Sequence, residues 1–134
     1  MRRARICEER GSGIDKVVFQ VELFQLPAPL FEKPDGFTRT VLFAYKDLKD
    51  MDRQDRIRAC YLHACLRYMT RSFLTNTSLR ARFGIEDRNR SSVSRLIREA
   101  VEAGAIVPDE AAAAPKLMRY APWWAAQESR EGHP

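Results

Sequence analysis

Between residues 75 and 104 the apolar positions fall at helical spacing in two runs, split by a tight turn. The first run is short and sets Leu79 and Phe83 on one face. Gly84 ends it, because glycine takes the left-handed conformation that closes a helix at little steric cost. Ile85 is positioned to plug the corner, and Asp87 or Asn89 to cap the next helix by accepting from its free amides. The second run carries Val93, Leu96, Ile97, Ala100 and Val101, the three-four spacing of one buried face, and Gly104 stops it. Upstream, residues 53–69 are apolar nearly all round. Ile57, Cys60, Tyr61, Ala64, Cys65 and Tyr68 form one broad face, with Leu62, Leu66 and Met69 behind. That pattern predicts a helix buried on two sides, capped by Asp50 or Asp52. Downstream, residues 105–108 read as a short strand, residues 109–115 as a loop and residues 116–120 as the returning strand. Trp123 and Trp124 are expected to pack back on the helix at 53–69, and the polar residues 127–134 to fray.

The N-terminal third follows a different pattern. Ile14, Val17, Val18, Val21 and Phe24 have helical spacing, although their β-branched content also permits a strand. A glycine-rich turn followed by Asp15 favours the helix, and Leu26-Pro27-Ala28-Pro29 breaks it. Residues 30–32 and 37–45 flank Lys33-Pro34-Asp35-Gly36, a strong turn sequence, so a hairpin is expected. Phe37, Arg39, Val41 and Phe43 share one face of its second arm, and Thr38, Thr40, Leu42 and Ala44 the other. Two strands alone are marginal in water, so this hairpin needs something to pack on. Residues 46–52 form a charged link.

Charge sharpens this picture. The chain of 134 residues is 45% hydrophobic and carries a net charge of +5, with a pI of about 9.4. From Arg71 to Arg98 seven arginines face two acids, an excess of five that equals that of the whole chain. Such clustering favours an anionic partner. Three cysteines without framework spacing suit a reducing cytoplasm. No apolar run follows the basic opening residues, so no secretory signal is expected, and no stretch is long enough to span a bilayer.

The candidate chemistry lies on the second helix of the helix-turn-helix. Outside its apolar face are Arg88, Arg90, Ser91, Ser94, Arg95 and Arg98. Arginines mixed with small serines let a helix approach a groove floor, which is the build of a DNA reader. Helix, turn, helix and a two-stranded hairpin follow one another in winged-helix order. The wing tip, residues 109–114, is acidic and then apolar, a poor phosphate grip, so only Lys116 and Arg119 at its base suit phosphate. The bland alternative is a solvated charged face. Cys60, His63 and Cys65 invite a metal reading, but Cys65 lies about 140° around the helix from Cys60, so the three cannot converge on one ion; buried cysteines and a partly buried histidine are expected. Gly11-Ser12-Gly13 could cradle a phosphate, yet without a preceding strand the signal is weak. No nucleophile, base and orienting group can be assembled, and no cofactor or small-molecule ligand is expected.

Several strings resemble a family of bacterial and archaeal transcriptional regulators of RecG-like, helicase-related type. They are Glu9-Arg10-Gly11-Ser12-Gly13-Ile14, Leu26-Pro27-Ala28-Pro29 with Phe31-Glu32 and Gly36-Phe37, residues 79–85, residues 94–100 and residues 120–125. In that family a Schlafen/AlbA-type domain precedes an ATPase-like domain of histidine-kinase type, and a winged helix closes the chain. The resemblance makes residues 1–45 the C-terminal helix and hairpin of the ATPase-like domain, 46–126 the winged-helix domain and 127–134 a tail. It also makes the chain the C-terminal piece of something longer. The Asn-bearing helix and Asp-Gly element that such an ATPase needs are not in this sequence, so no nucleotide chemistry is expected. The expected fold is α+β and helix-rich. The expected role is non-catalytic, sequence-specific binding of double-stranded DNA in transcription regulation; the rival is a winged helix serving only protein-protein contact or dimerisation. A homodimer through Leu62, Leu66 or Met69 is expected, unless the N-terminal hairpin covers that face.

Overall fold

A computed structural model describes residues 13–109 and 118–131. Two small antiparallel hairpins accompany five α-helices among them. The first helix, α1, spans Gly13–Leu23, as the helical spacing of its valines predicts. Its chain then turns through Gln25 in the left-handed region, at φ 56°, into a segment where Pro27, Ala28 and Pro29 are buried. Strands β1 (Leu30–Glu32) and β2 (Arg39–Val41) pair across the Pro-Asp-Gly turn, with Leu30 opposite Val41. The second arm is shorter than its composition suggested. Phe37, Leu42 and Tyr45 lie exposed beyond the pairing, and Phe43 lies under the Arg58 guanidinium.

Helix α2 (Arg53–Met69) starts where Asp52 accepts from the Asp55 amide at 2.8 Å. It crosses the middle of the molecule and buries Ala59, Cys60, His63 and Ala64. Helix α3 (Asn76–Phe83) opens with a reciprocal cap, Thr75 accepting from the Ser78 amide and Ser78 Oγ from the Thr75 amide. Gly84 closes it at φ 67°. Helix α4 (Arg90–Glu102) buries Val93, Leu96, Ile97 and Ala100, with Val101 half-buried at the margin. The capping expectation for this helix does not hold. Asn89 occupies the cap position without a side-chain bond, and Asp87 is taken up by arginines.

Strands β3 (Ile106–Pro108) and β4 (Tyr120–Pro122) pair with Ile106 opposite Pro122. The returning strand thus runs on to Pro122, past the expected end at 120, while residues 116 and 117 lie outside the described residues. Long-range bonds decide this. Tyr120 exchanges backbone hydrogen bonds with Leu74, at 2.8 and 2.9 Å, and the Trp123 amide donates to Ala105 O at 3.1 Å. Trp124 packs on α2 as expected. Its indole N–H donates to the Tyr61 hydroxyl, and its ring meets Tyr68 edge-on. Trp123 stays largely exposed. Residues 127–131, expected to fray, instead belong to helix α5 (Ala125–Glu131), seated by the buried Ala125; residues 132–134 lie outside the described residues.

One core joins these parts: Cys60 and Ala64 of α2, Leu74, Leu79, four side chains of α4 and Ile106. No helix among the described residues is long and apolar enough to cross a membrane.

The turn after α3 gives a first expected result. A Cβ at Gly84 would lie 2.8 Å from Gln25 Oε1, and its φ of 67° disfavours any side chain. Gln25 can retreat only by giving up its bond to Ala81 O. Gly84→Ala should therefore cost roughly 1–2 kcal/mol, read as a lower urea midpoint at unchanged slope.

Candidate nucleic-acid interface

Helix α4 is amphipathic because its apolar positions recur every three to four residues, so burial of Val93, Leu96, Ile97 and Ala100 fixes what faces outward. Ser91, Ser94, Arg95 and Arg98 are all exposed. At about 100° per residue, Ser91 lies near the centre of the outer stripe. Arg95 lies toward one flank and lines a cleft of about 620 Å³ that also takes in Lys49, Asn89 and Ser92. Arg98 lies toward the other flank, beside Ser94, Pro108 and Tyr120 of the second hairpin. The two arginines thus bracket the helix rather than share one line. Among the described residues neither has an acidic partner.

The arginines of the turn are not free in this way. Arg88 pairs with Glu86 at 2.8 Å and Arg90 with Asp87 at 2.9 Å, all four well exposed. Asp87 also lies 3.4 Å from Arg80 of α3. Exposed pairs of this kind contribute only about 0–1 kcal/mol, so a phosphate can replace either acid. Arg119 is more firmly held. It pairs with Asp109 and stacks over the Phe73 ring, 4.4 Å from its centroid. Lys116 and residues 110–114 lie outside the described residues, as do Gly11 and Ser12.

Asn76, in the first turn of α3, was not singled out by the sequence pattern. Its side-chain amide donates to Arg90 O at 3.1 Å and to Ser94 Oγ at 3.0 Å, while its oxygen accepts from Arg80 at 2.9 Å. One side chain thus links α3 to the start of α4 and orients Arg80. Lys49, beside Arg95 in the cleft, is a second addition. The only sequence signal for either was position, Asn76 in a helix's first turn and Lys49 in the charged link.

A buried polar cluster lies behind the interface. His63 Nδ1 is 2.7 Å from Glu22 Oε1, and its Nε2 is 3.0 Å from Ser78 Oγ. Serine, histidine and carboxylate in line have the order of a nucleophile, a base and an orienting acid. Their surroundings are those of a structural relay. His63 is 5% exposed. Ser78 Oγ is already engaged by the Thr75 amide at 2.9 Å and the Thr75 carbonyl at 3.1 Å. Beside it, burial, with Glu22 nearby as the lesser cause, pushes the Cys60 thiol up to about 12, which keeps it protonated and inert. Among the described residues no group of three His, Cys, Asp or Glu could hold a metal ion.

Residues 1–42 match a family model described as "Putative ATP-dependent DNA helicase recG C-terminal". The match takes in α1 and both strands of the first hairpin and ends one residue past β2. It supports a RecG-related segment at this end of the chain. No curated protein and no solved structure matches the chain.

Proposed function

We propose that residues 46–126 are a winged-helix domain that binds double-stranded DNA in transcription regulation, attached to the C-terminal segment of a RecG-related, ATPase-like domain. One observation carries this reading: the outer face of α4, the helix after the tight turn, bears Arg95 and Arg98 without acidic partners among the described residues, and Ser91 between them. Small side chains at the centre of the stripe allow close approach to a groove, and the flanking arginines can reach a base edge or a phosphate. No catalytic step is proposed for this chain.

A duplex selected from a random pool, then titrated by fluorescence anisotropy, tests the reading. Affinity should fall steeply between about 50 and about 200 mM salt, because each neutralised phosphate releases counterions. Failure to enrich any duplex, or binding indifferent to salt, would sink it.

The second reading is a protein-protein or dimerisation module. It is favoured by exposed Phe19 and Leu23 on α1, Phe24 just past it, and exposed Met69 at the end of α2. Leu62 and Leu66 lie half-buried beside α1, with Phe31 of the first hairpin lining the same groove. Sedimentation at tens of micromolar without DNA separates the two: a dimer that ignores every duplex supports this module alone.

A further inference from the structure

Helix α1 contributes two buried apolar side chains, Val18 and Val21. Neither belongs to the core that α2, α3, α4 and β3 build together. Helix α1 lies against this core from outside, with Glu22 near Cys60. Between α1 and the second half of α2 lies an apolar groove of about 710 Å³ open to solvent, lined by Val18, Phe19, Leu62, Cys65, Leu66 and Met69 among others. Side chains along an open groove are packed on one side only and forgo part of the dispersion contact that a filled interior provides. Apolar packing is therefore a weak hold on this helix.

The stronger hold is polar and sits at the helix's far end. Glu22 meets His63 of α2 at 2.7 Å and lies 3.5 Å from Arg82 of α3. Arg82, 3% exposed, donates to Leu26 O at 2.6 Å, just past the end of α1. Gln25 donates to Ala81 O at 3.3 Å. Apart from their 3.5 Å approach to each other, Glu22 Oε2 and Arg82 Nε have no hydrogen-bond partner among the described residues, nor has Arg82 Nη1. Burial pulls the Arg82 pKa down, with Glu22 opposing it. Removing one charge from such a buried cluster leaves the others uncompensated, so each member depends on the rest.

We propose that α1 is a detachable arm, clasped to α2 and α3 by Glu22 between His63 and Arg82, and that it opens and recloses as a unit separate from the core. Opening exposes Val18 and Val21 on the arm and Leu62 and Leu66 on α2, all covered at least in part when it is closed. Because α1 lies within the RecG-related segment, the clasp is where that segment grips the rest of the chain. The proposal does not rest on DNA binding.

Hydrogen exchange read by mass spectrometry on the full chain tests it. In the parent protein, amides of α1 should exchange at least about tenfold faster than those of α4, the mark of a separate opening unit. Glu22→Gln keeps the size and removes the charge. It should speed exchange in α1 by a further factor of about ten or more and leave α4 unchanged. Equal rates in the two helices of the parent would overturn the proposal. So would a variant in which both helices accelerate alike, or neither does. Loss of the whole fold in Glu22→Gln counts against it too, because a clasp on a separable arm is dispensable to the core; the parent comparison stands whether or not the variant folds.

Discussion

Arg95→Ala should weaken the preferred duplex by about 5- to 150-fold and flatten the preference among sequences. The size follows from what an arginine can do at a base edge: a paired hydrogen bond to guanine discriminates by ~1–3 kcal/mol, and each ~1.4 kcal/mol is tenfold. Arg95 is exposed, near the middle of α4, and makes no ion pair among the described residues, although Glu99 and Asp47 line the same cleft. Arg98, on the hairpin side, is expected to meet a phosphate. Arg98→Ala should weaken all duplexes alike and lower the salt slope by about one unit. Arg90→Ala should matter less than Arg95→Ala, because Asp87 already neutralises Arg90 in the free protein. The measurement is anisotropy on a selected duplex and on scrambled duplexes at several salt concentrations. If the Arg90→Ala, Arg95→Ala double variant binds as the parent does, the face of α4 is not the reading surface.

Leu79→Ala should come close to unfolding the domain. Leu79 is wholly buried where α3 meets the shared core. Truncation removes three carbons from a close-packed site and leaves a cavity that the short helix α3 cannot collapse to fill. The expected cost is ~2–5 kcal/mol, against a total stability of about 5–15 kcal/mol for a domain of ordinary size. Urea titration followed by tryptophan fluorescence reads it directly. A loss below about 1 kcal/mol would mean that the site repacks, and that α3 is not fixed as described. Stability must be measured before binding, since an unfolded variant loses DNA for an uninformative reason.

Local chemistry explains which parts of this fold could be read from residues in order. Helix α2 begins at an aspartate that caps it, α3 ends at a glycine with positive φ, and α4 declares its buried face through Val93, Leu96, Ile97 and Ala100. Each signal lies within a few residues of its effect. The features that escaped depend on distant partners. Strand β4 starts at Tyr120 because Leu74 pairs with it. Asp87 gives up capping because Arg80 and Arg90 both reach it. Glu22 finds His63 from 41 residues away, which no periodicity encodes. The same division runs through the candidate site. Which arginines lie outside the apolar face was readable from spacing; which of them an acid already occupies was not.

Asp87 has a role in the free protein that differs from repulsion. Its carboxylate holds Arg90 of α4 at 2.9 Å and stands 3.4 Å from Arg80 of α3, so it occupies a position between two guanidinium groups that a phosphate oxygen could take. It acts as an internal stand-in for the anion. Arg90, and Arg80 together with its bond to Asn76, are thus held in place before any nucleic acid arrives, and part of the ordering cost of about 0.5–1.5 kcal/mol for each is met within the free protein. Displacing an exposed carboxylate costs about 0–1 kcal/mol, so the exchange is close to even. An anion that fits both arginines at once can drive it, whereas a lone monovalent ion from the buffer gains too little to compete.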